Sequence, residues 1–98
     1  MNKYEAMIIL DAGLSDNERS QLINFIQETI TKNEGKVIDS NLWSERRQLA
    51  YPIKKKQEGV YYLIHFNVNP HAVARIRNTL KLNESILRFL ILNLTTKA

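Results

Sequence analysis

Cysteine is absent from the 98-residue chain. That excludes a disulfide framework, a thiolate nucleophile and every cysteine-ligated zinc site, and it fits a reducing compartment. Histidine is scarce too: His65 and His71 have no acid between them, so the spacing of a metal-ligand cluster is missing. Long apolar runs are lacking. Ala6–Leu10 ends at Asp11, short of the roughly seven to fifteen residues of a signal-peptide core. Phe89–Leu92 is preceded by Arg88, and neither run approaches the roughly twenty residues that span a bilayer. The expectation is a cytosolic protein that is not exported and enters no membrane. Glycine (3) and proline (2) are few, no repeat or linker interrupts the chain, and the length fits one domain over residues 1–98.

What is present is an ordinary globular balance with one anomaly. Hydrophobic residues make up 44% and charged residues 24%, enough apolar side chain to build a core. The net charge is +4, but it is not spread evenly. Arg46, Arg47, Lys54, Lys55 and Lys56 stand within eleven residues that hold no acid; the rest of the chain has nine bases and ten acids and sums to −1. Cations clustered on an otherwise balanced chain are the footprint of phosphate-backbone binding. A solvated loop kept soluble by lysine is the plainer explanation for Lys54–Lys56, and it fits the arginine pair less well, because arginine's forked donors suit phosphate.

Periodicity supplies the elements. Lys3–Leu10 reads as a strand with Tyr4, Ala6, Ile8 and Leu10 on one face; Met7 and Ile9 make the other face apolar, so the strand is expected to be largely buried. Ser15-Asp16-Asn17-Glu18 forms a capping box, followed by Leu22, Ile23, Phe25, Ile26 and Ile30 at helical spacing, with Gly35 expected as the left-handed stop. Lys36 to about Tyr51 reads as a long second strand, which Pro52 places at a sheet edge because it cannot donate to a ladder. Lys54–Gly59 reads as a turn, and Val60–Val68 as a strong third strand with Val60, Tyr62, Ile64, Phe66 and Val68 on its apolar face. Asn69-Pro70 starts a second helix running through Val73, Ile76 and Leu80 to about Lys81, and Ile86–Leu94 is the last strand. The order βαββαβ implies an α+β, ferredoxin-like sandwich: a four-stranded antiparallel sheet, both helices on one face, the first and third strands central and the second at an edge.

That topology serves many functions, so the residues must choose among them. No paired carboxylates, nucleophile motif or phosphate-cradling glycine run occurs. His65 shares a strand face with Tyr61 and Leu63 and reads as a hydrogen-bonded structural residue, while His71 falls in a first helical turn facing water. No catalytic residue, cofactor site or metal site is expected; this reads as a binding protein. An RNA-recognition motif has the same element order, but its third-strand signature matches Gly59–Phe66 only in part. Glu58 stands where the basic residue belongs, and Val60 where the first stacking aromatic belongs.

Arg46-Arg47-Gln48-Leu49-Ala50-Tyr51-Pro52-Ile53 followed by Lys54-Lys55, with Tyr4-Glu5, Glu58-Gly59-Val60-Tyr61 and Ile86-Leu87-Arg88, resembles the bacterial-type small-subunit ribosomal protein six family along essentially the whole chain. The resemblance implies the same ferredoxin-like fold and a structural role. It implies binding to the central domain of small-subunit ribosomal RNA together with small-subunit ribosomal protein eighteen, as a heterodimer supporting subunit assembly, with no small-molecule substrate. It implies a cytoplasmic ribosomal location, with an organellar ribosome as the alternative setting. Arg46 and Arg47 match the family's basic pair and take RNA contact from it. Lys54, Lys55 and Lys56 fall in a loop that varies among members, so their RNA role rests on charge. Tyr51 and Pro52 are assigned to partner or RNA docking.

Two features depart from the family. Members commonly place a glycine, often with tryptophan ahead of it, just before the basic pair; here Ser44-Glu45 stands there and Trp43 lies one position earlier. Members also often extend into a charged tail that helps hold the partner, whereas this chain ends at Lys97-Ala98. The alternative from another class is a homo-oligomeric ferredoxin-like regulatory domain that binds a small ligand.

Overall fold

Alternation places Tyr4, Ala6, Ile8 and Leu10 on one side of a strand, and burying that side is what organises the molecule. The computed structural model describes residues 1–53 and 56–94, with side chains described at 1–42 and 58–94. Its elements are β1 (Asn2–Asp11), α1 (Asp16–Lys32), β2 (Lys36–Ile53), β3 (Lys56–Val68), a 3₁₀ turn (Pro70–Ala72), α2 (Val73–Lys81) and β4 (Ile86–Asn93). The strands form an antiparallel sheet in the order β2-β3-β1-β4, with β1 and β3 central and β2 at an edge, as the proline and the charge predict.

The helices cover one face. Tyr4, Ala6, Ile8 and Leu10 of β1 and Val60, Tyr62, Ile64, Phe66 and Val68 of β3 are all buried against Leu22, Ile26 and Ile30 of α1 and Ile76 and Leu80 of α2. Tyr4 and Phe66 stack across the central pair with ring centroids 5.8 Å apart. The Ser15 hydroxyl accepts the Glu18 amide at 3.1 Å, and Glu18 accepts the Ser15 amide at 3.0 Å, completing the capping box. A cap is worth about 1 kcal/mol, whereas each fully buried Leu or Ile is worth about 1.5–3 kcal/mol. The apolar stripe therefore holds α1 in place, and the cap fixes where it starts.

Three local expectations are corrected. The left-handed residue at the end of α1 is Glu34 (φ 64°), not Gly35; no described glycine has positive φ. The Gly35 amide donates to the Ile30 carbonyl at 2.9 Å and that of Glu34 to Thr31 at 3.1 Å, the hydrogen-bond pair of a Schellman motif shifted one residue from the expected position. Gly35 is needed for closeness instead: an added Cβ would meet Ile30 Cγ2 at 2.7 Å and the Ile30 and Asn67 carbonyl oxygens at 2.9 and 3.0 Å.

Second, β1 is buried on one face only. Met7 is 40% exposed, because both helices lie on the Tyr4 side and no third layer among the described residues covers Met7 and Ile9. Those side chains are apolar because the register sets Met7 between Leu63 of β3 and Leu90 of β4. Third, the turn expected over Lys54–Gly59 is shorter. Ile53 pairs with Lys56 and Gln48 with Glu58, and Gly59 lies inside β3, paired to Asp11 on one side and Arg47 on the other. A ladder held by backbone hydrogen bonds runs on through polar residues that look like turn formers.

Candidate nucleic-acid interface

The basic segment falls on one hairpin. Arg46, Arg47, Tyr51 and Pro52 lie on edge strand β2, Lys56 opens β3, and Lys54 and Lys55 lie outside the described residues. The pairing carries the hairpin past the end of β1: Arg47 opposes Gly59, which pairs with Asp11, the last residue of β1, and Ile53 opposes Lys56 beyond it. Arg46 and Arg47 thus lie on the edge strand where β1 ends, and Lys56 on the two-stranded part that continues past it. Pro52 sits on the edge strand, where its missing amide costs least.

The ladder is irregular at the residues that matter. Between the Trp43–Tyr61 and Arg47–Gly59 pairs, β2 has three residues where β3 has only Val60; between Gln48–Glu58 and Ile53–Lys56, it has four where β3 has only Gln57. Extra residues on one strand make bulges, which bend a strand and re-aim its side chains. The first of these covers Ser44, Glu45 and Arg46, where the family pattern calls for a glycine. The irregularity is present without it, so glycine is not required to break register here. Trp43 occupies the register position opposite Tyr61 at the start of that break.

The helix-free face of the sheet carries a second feature, which includes Met7, a residue that sequence periodicity assigned to a largely buried strand. Met7, Leu90 and Leu92 are 40%, 57% and 47% exposed, and Met7 pairs with Leu90 and with half-buried Leu63. The signal for this patch was the i, i+2 repeat in Met7-Ile8-Ile9 and Leu90-Ile91-Leu92; reading it as an exposed face needed the location of both helices. At the end of the same face, His65 Nδ1 bonds Asp39 Oδ1 at 2.5 Å and Nε2 meets Glu5 Oε1 at 3.3 Å. The Asp39 hydrogen bond outweighs partial desolvation and, with the Asp39 charge and the Glu5 contact, raises the His65 pKa above the ordinary histidine value. His65 is the structural, hydrogen-bonded residue expected, and His71 is exposed in the 3₁₀ turn, its amide held by Asn69 Oδ1 at 3.0 Å. Among the described residues no group of His, Asp and Glu is arranged to hold a metal, and no helix is long and apolar enough to cross a membrane.

The profile of the ribosomal protein S6 family matches residues 3–93. A small ribosomal subunit protein bS6 from Corynebacterium aurimucosum is 39% identical over 97 residues, covering 99% of this chain and all of that one. The bS6 of Helicobacter pylori (strain Shi470) is 38% identical over 97 residues, 99% of this chain and 68% of its own. Among solved structures, 30S ribosomal protein S6 from Thermotoga maritima superposes with a TM-score of 0.86 at 26% identity, over 94% of this chain and 86% of that one. The C-terminal domain of MgtC from Mycobacterium tuberculosis superposes with a TM-score of 0.65 at 9% identity, a likeness of fold alone. Profile, relatives and fold agree over the same residues: this chain belongs to the ribosomal protein S6 family, whose members are structural components of the small ribosomal subunit and not enzymes.

Proposed function

We propose that this protein binds the central domain of small-subunit ribosomal RNA jointly with ribosomal protein eighteen, and that the β2–β3 hairpin is its RNA contact. The observation that carries the reading is that Arg46, Arg47 and Lys56 lie on the paired strands β2 and β3 of one hairpin, with Lys54 and Lys55 between them in the sequence and no intervening acid. Phosphates are the natural counter-charges of such a cluster. The partner protein is accommodated by a different surface: the exposed Met7, Leu90 and Leu92 on the helix-free face are an apolar patch of the kind that marks protein contacts. Tyr51 and Pro52 lie on the hairpin between the two sets of cations and take docking roles there.

The test is binding of the full chain to a central-domain RNA fragment with and without protein eighteen. Cooperative binding when both proteins are present is expected; no binding in either condition overturns the reading. Five phosphate contacts give a slope of log affinity against log salt of about −3.5 to −4.5. Replacing Arg46 and Arg47 by Ala flattens it by about one to two units, and an unchanged slope removes the pair from the interface.

A further inference from the structure

The two helices that share one sheet face differ in charge. α1 carries Asp16, Glu18 and Glu28 against Arg19 and Lys32, and its Arg19 is already bound to Asp16 at 2.7 Å. α2 carries Arg75, Arg77 and Lys81 and no acid. All three are exposed, and among the described residues no carboxylate pairs with any of them. Helix stability explains one of the three: Lys81 in the last turn complements the negative end of the helix dipole. Arg75 lies in the first turn, where acids are favoured, and Arg77 at mid-helix, beyond the reach of either end, so the dipole gains nothing from their charge.

Topology brings this cationic helix toward the hairpin. β3 ends at Val68, and α2 runs back along the sheet, so Lys81 arrives at the end where Leu10 pairs with Ile86 and Asp11 with Gly59. The β2–β3 hairpin extends from that same end. Three strand spacings, about 14 Å in all, separate the outer strands, a span one nucleic-acid backbone can bridge. Arg77 and Lys81, four apart and so on one ridge, wall a groove whose other side is β4 from Ile86 to Ile91, including half-buried Phe89.

We infer that α2 is a second phosphate-backbone contact for the same ribosomal RNA, with Arg75, Arg77 and Lys81 neutralising phosphates of a segment that continues from the hairpin. The inference rests on the RNA-binding reading above. It assigns positioning, not sequence readout, to these residues, since cations meeting phosphates carry no base information. Two contacts on separated elements fix an RNA's direction across the protein, which one hairpin does not.

The experiment is a salt titration of binding to the central-domain RNA fragment, with protein eighteen present, for the wild type, R46A/R47A and R75Q/R77Q/K81Q. The glutamines at 75 and 77 are expected to leave the melting temperature unchanged, and the loss of Lys81 from the last turn to lower it only slightly; if the triple variant melts early, R75Q/R77Q replaces it. The expected result is weaker binding and a slope flattened by about two to three units in the triple variant, with partial recovery of the slope in R75K/R77K. Wild-type slope and affinity in the triple variant, beside a flattened slope in R46A/R47A, overturn this inference and leave the hairpin reading standing. No binding by the wild type overturns both. Binding of polyglutamate to the wild type but not to the triple variant, with RNA affinity and slope the same in both, identifies α2 as an acidic-peptide surface and overturns the RNA assignment.

Discussion

His65 on β3 joins the two strands beside it: Asp39 of β2 on its Nδ1 and Glu5 of β1 on its Nε2, 2.5 and 3.3 Å away. The three residues tie edge strand β2 to the centre of the sheet through side chains as well as backbone. Because these contacts raise the histidine's pKa in the fold, their stabilisation is fully present below the unfolded value near 6.5 and is lost as pH rises through the folded value. Histidine ring resonances followed by NMR should show the His65 midpoint above the ordinary value, and D39N should lower it. Asp39 is largely exposed, so the stability difference between wild type and D39N should be small, about 0.2–1 kcal/mol, and confined to the acidic side of that window. Equal midpoints in the two proteins would remove Asp39 as the cause.

Two adjacent residues at the end of α1 should respond with opposite signs. Left-handed geometry costs a residue with a side chain roughly 1–2 kcal/mol, and glycine returns about 0.5–1 kcal/mol through its freer unfolded chain. Glu34→Gly should therefore stabilise by about 0.5 kcal/mol. Gly35→Ala should destabilise by about 1–3 kcal/mol, because its Cβ meets carbonyl oxygens of Ile30 and Asn67 that cannot move without shifting backbone. Chemical denaturation of both variants checks the pair, and a neutral Gly35→Ala would mean the backbone there has room to give.

Ser15→Ala removes the acceptor for the Glu18 amide and frees the box that starts α1. The expected loss is about 1 kcal/mol by denaturation, without change in RNA affinity, since Ser15 lies on neither the hairpin nor α2. A concurrent loss of RNA binding would show that α1 takes part in recognition.

Ile64 is fully buried at the centre of the sheet, between β1 and β2 and under the helices. Ile64→Ala should cost about 2–5 kcal/mol, a large share of the stability of a chain this size, and should lower the melting temperature. By contrast Leu90→Asp, on the exposed face, should change stability by no more than about 0.5 kcal/mol while abolishing association with protein eighteen. Retained association would move the partner's site off the helix-free face.

The elements were legible because they rest on neighbours in the chain. Ser15 and Glu18 bond within one turn, Leu22, Ile26 and Ile30 repeat at the helical period, and Val60 to Val68 alternates at the strand period. The edge position of β2 was legible for an equally local reason, the missing amide of Pro52. The acid-free run of cations, too, is a property of eleven consecutive residues, and their assignment to one hairpin needed only the two flanking strands.

What those residues could not settle depended on pairings across long stretches of chain. Whether Met7 faced core or water turned on both helices lying on the opposite side, and Glu34 rather than Gly35 took the left-handed position because Gly35 had to fit beneath the Asn67 carbonyl of β3. The partners of His65 stand 26 and 60 residues away and meet it only through strand register. The breaks in β2 are visible only against β3. By itself, then, the sequence determined the elements, the composition of the core and the charge of the hairpin, because period, cap and charge are local. Only the tertiary structure decided which apolar face stays wet, which residue bears the strained turn and which end of the sheet gathers the cations, because coverage and register arise from residues that meet only when the chain is folded.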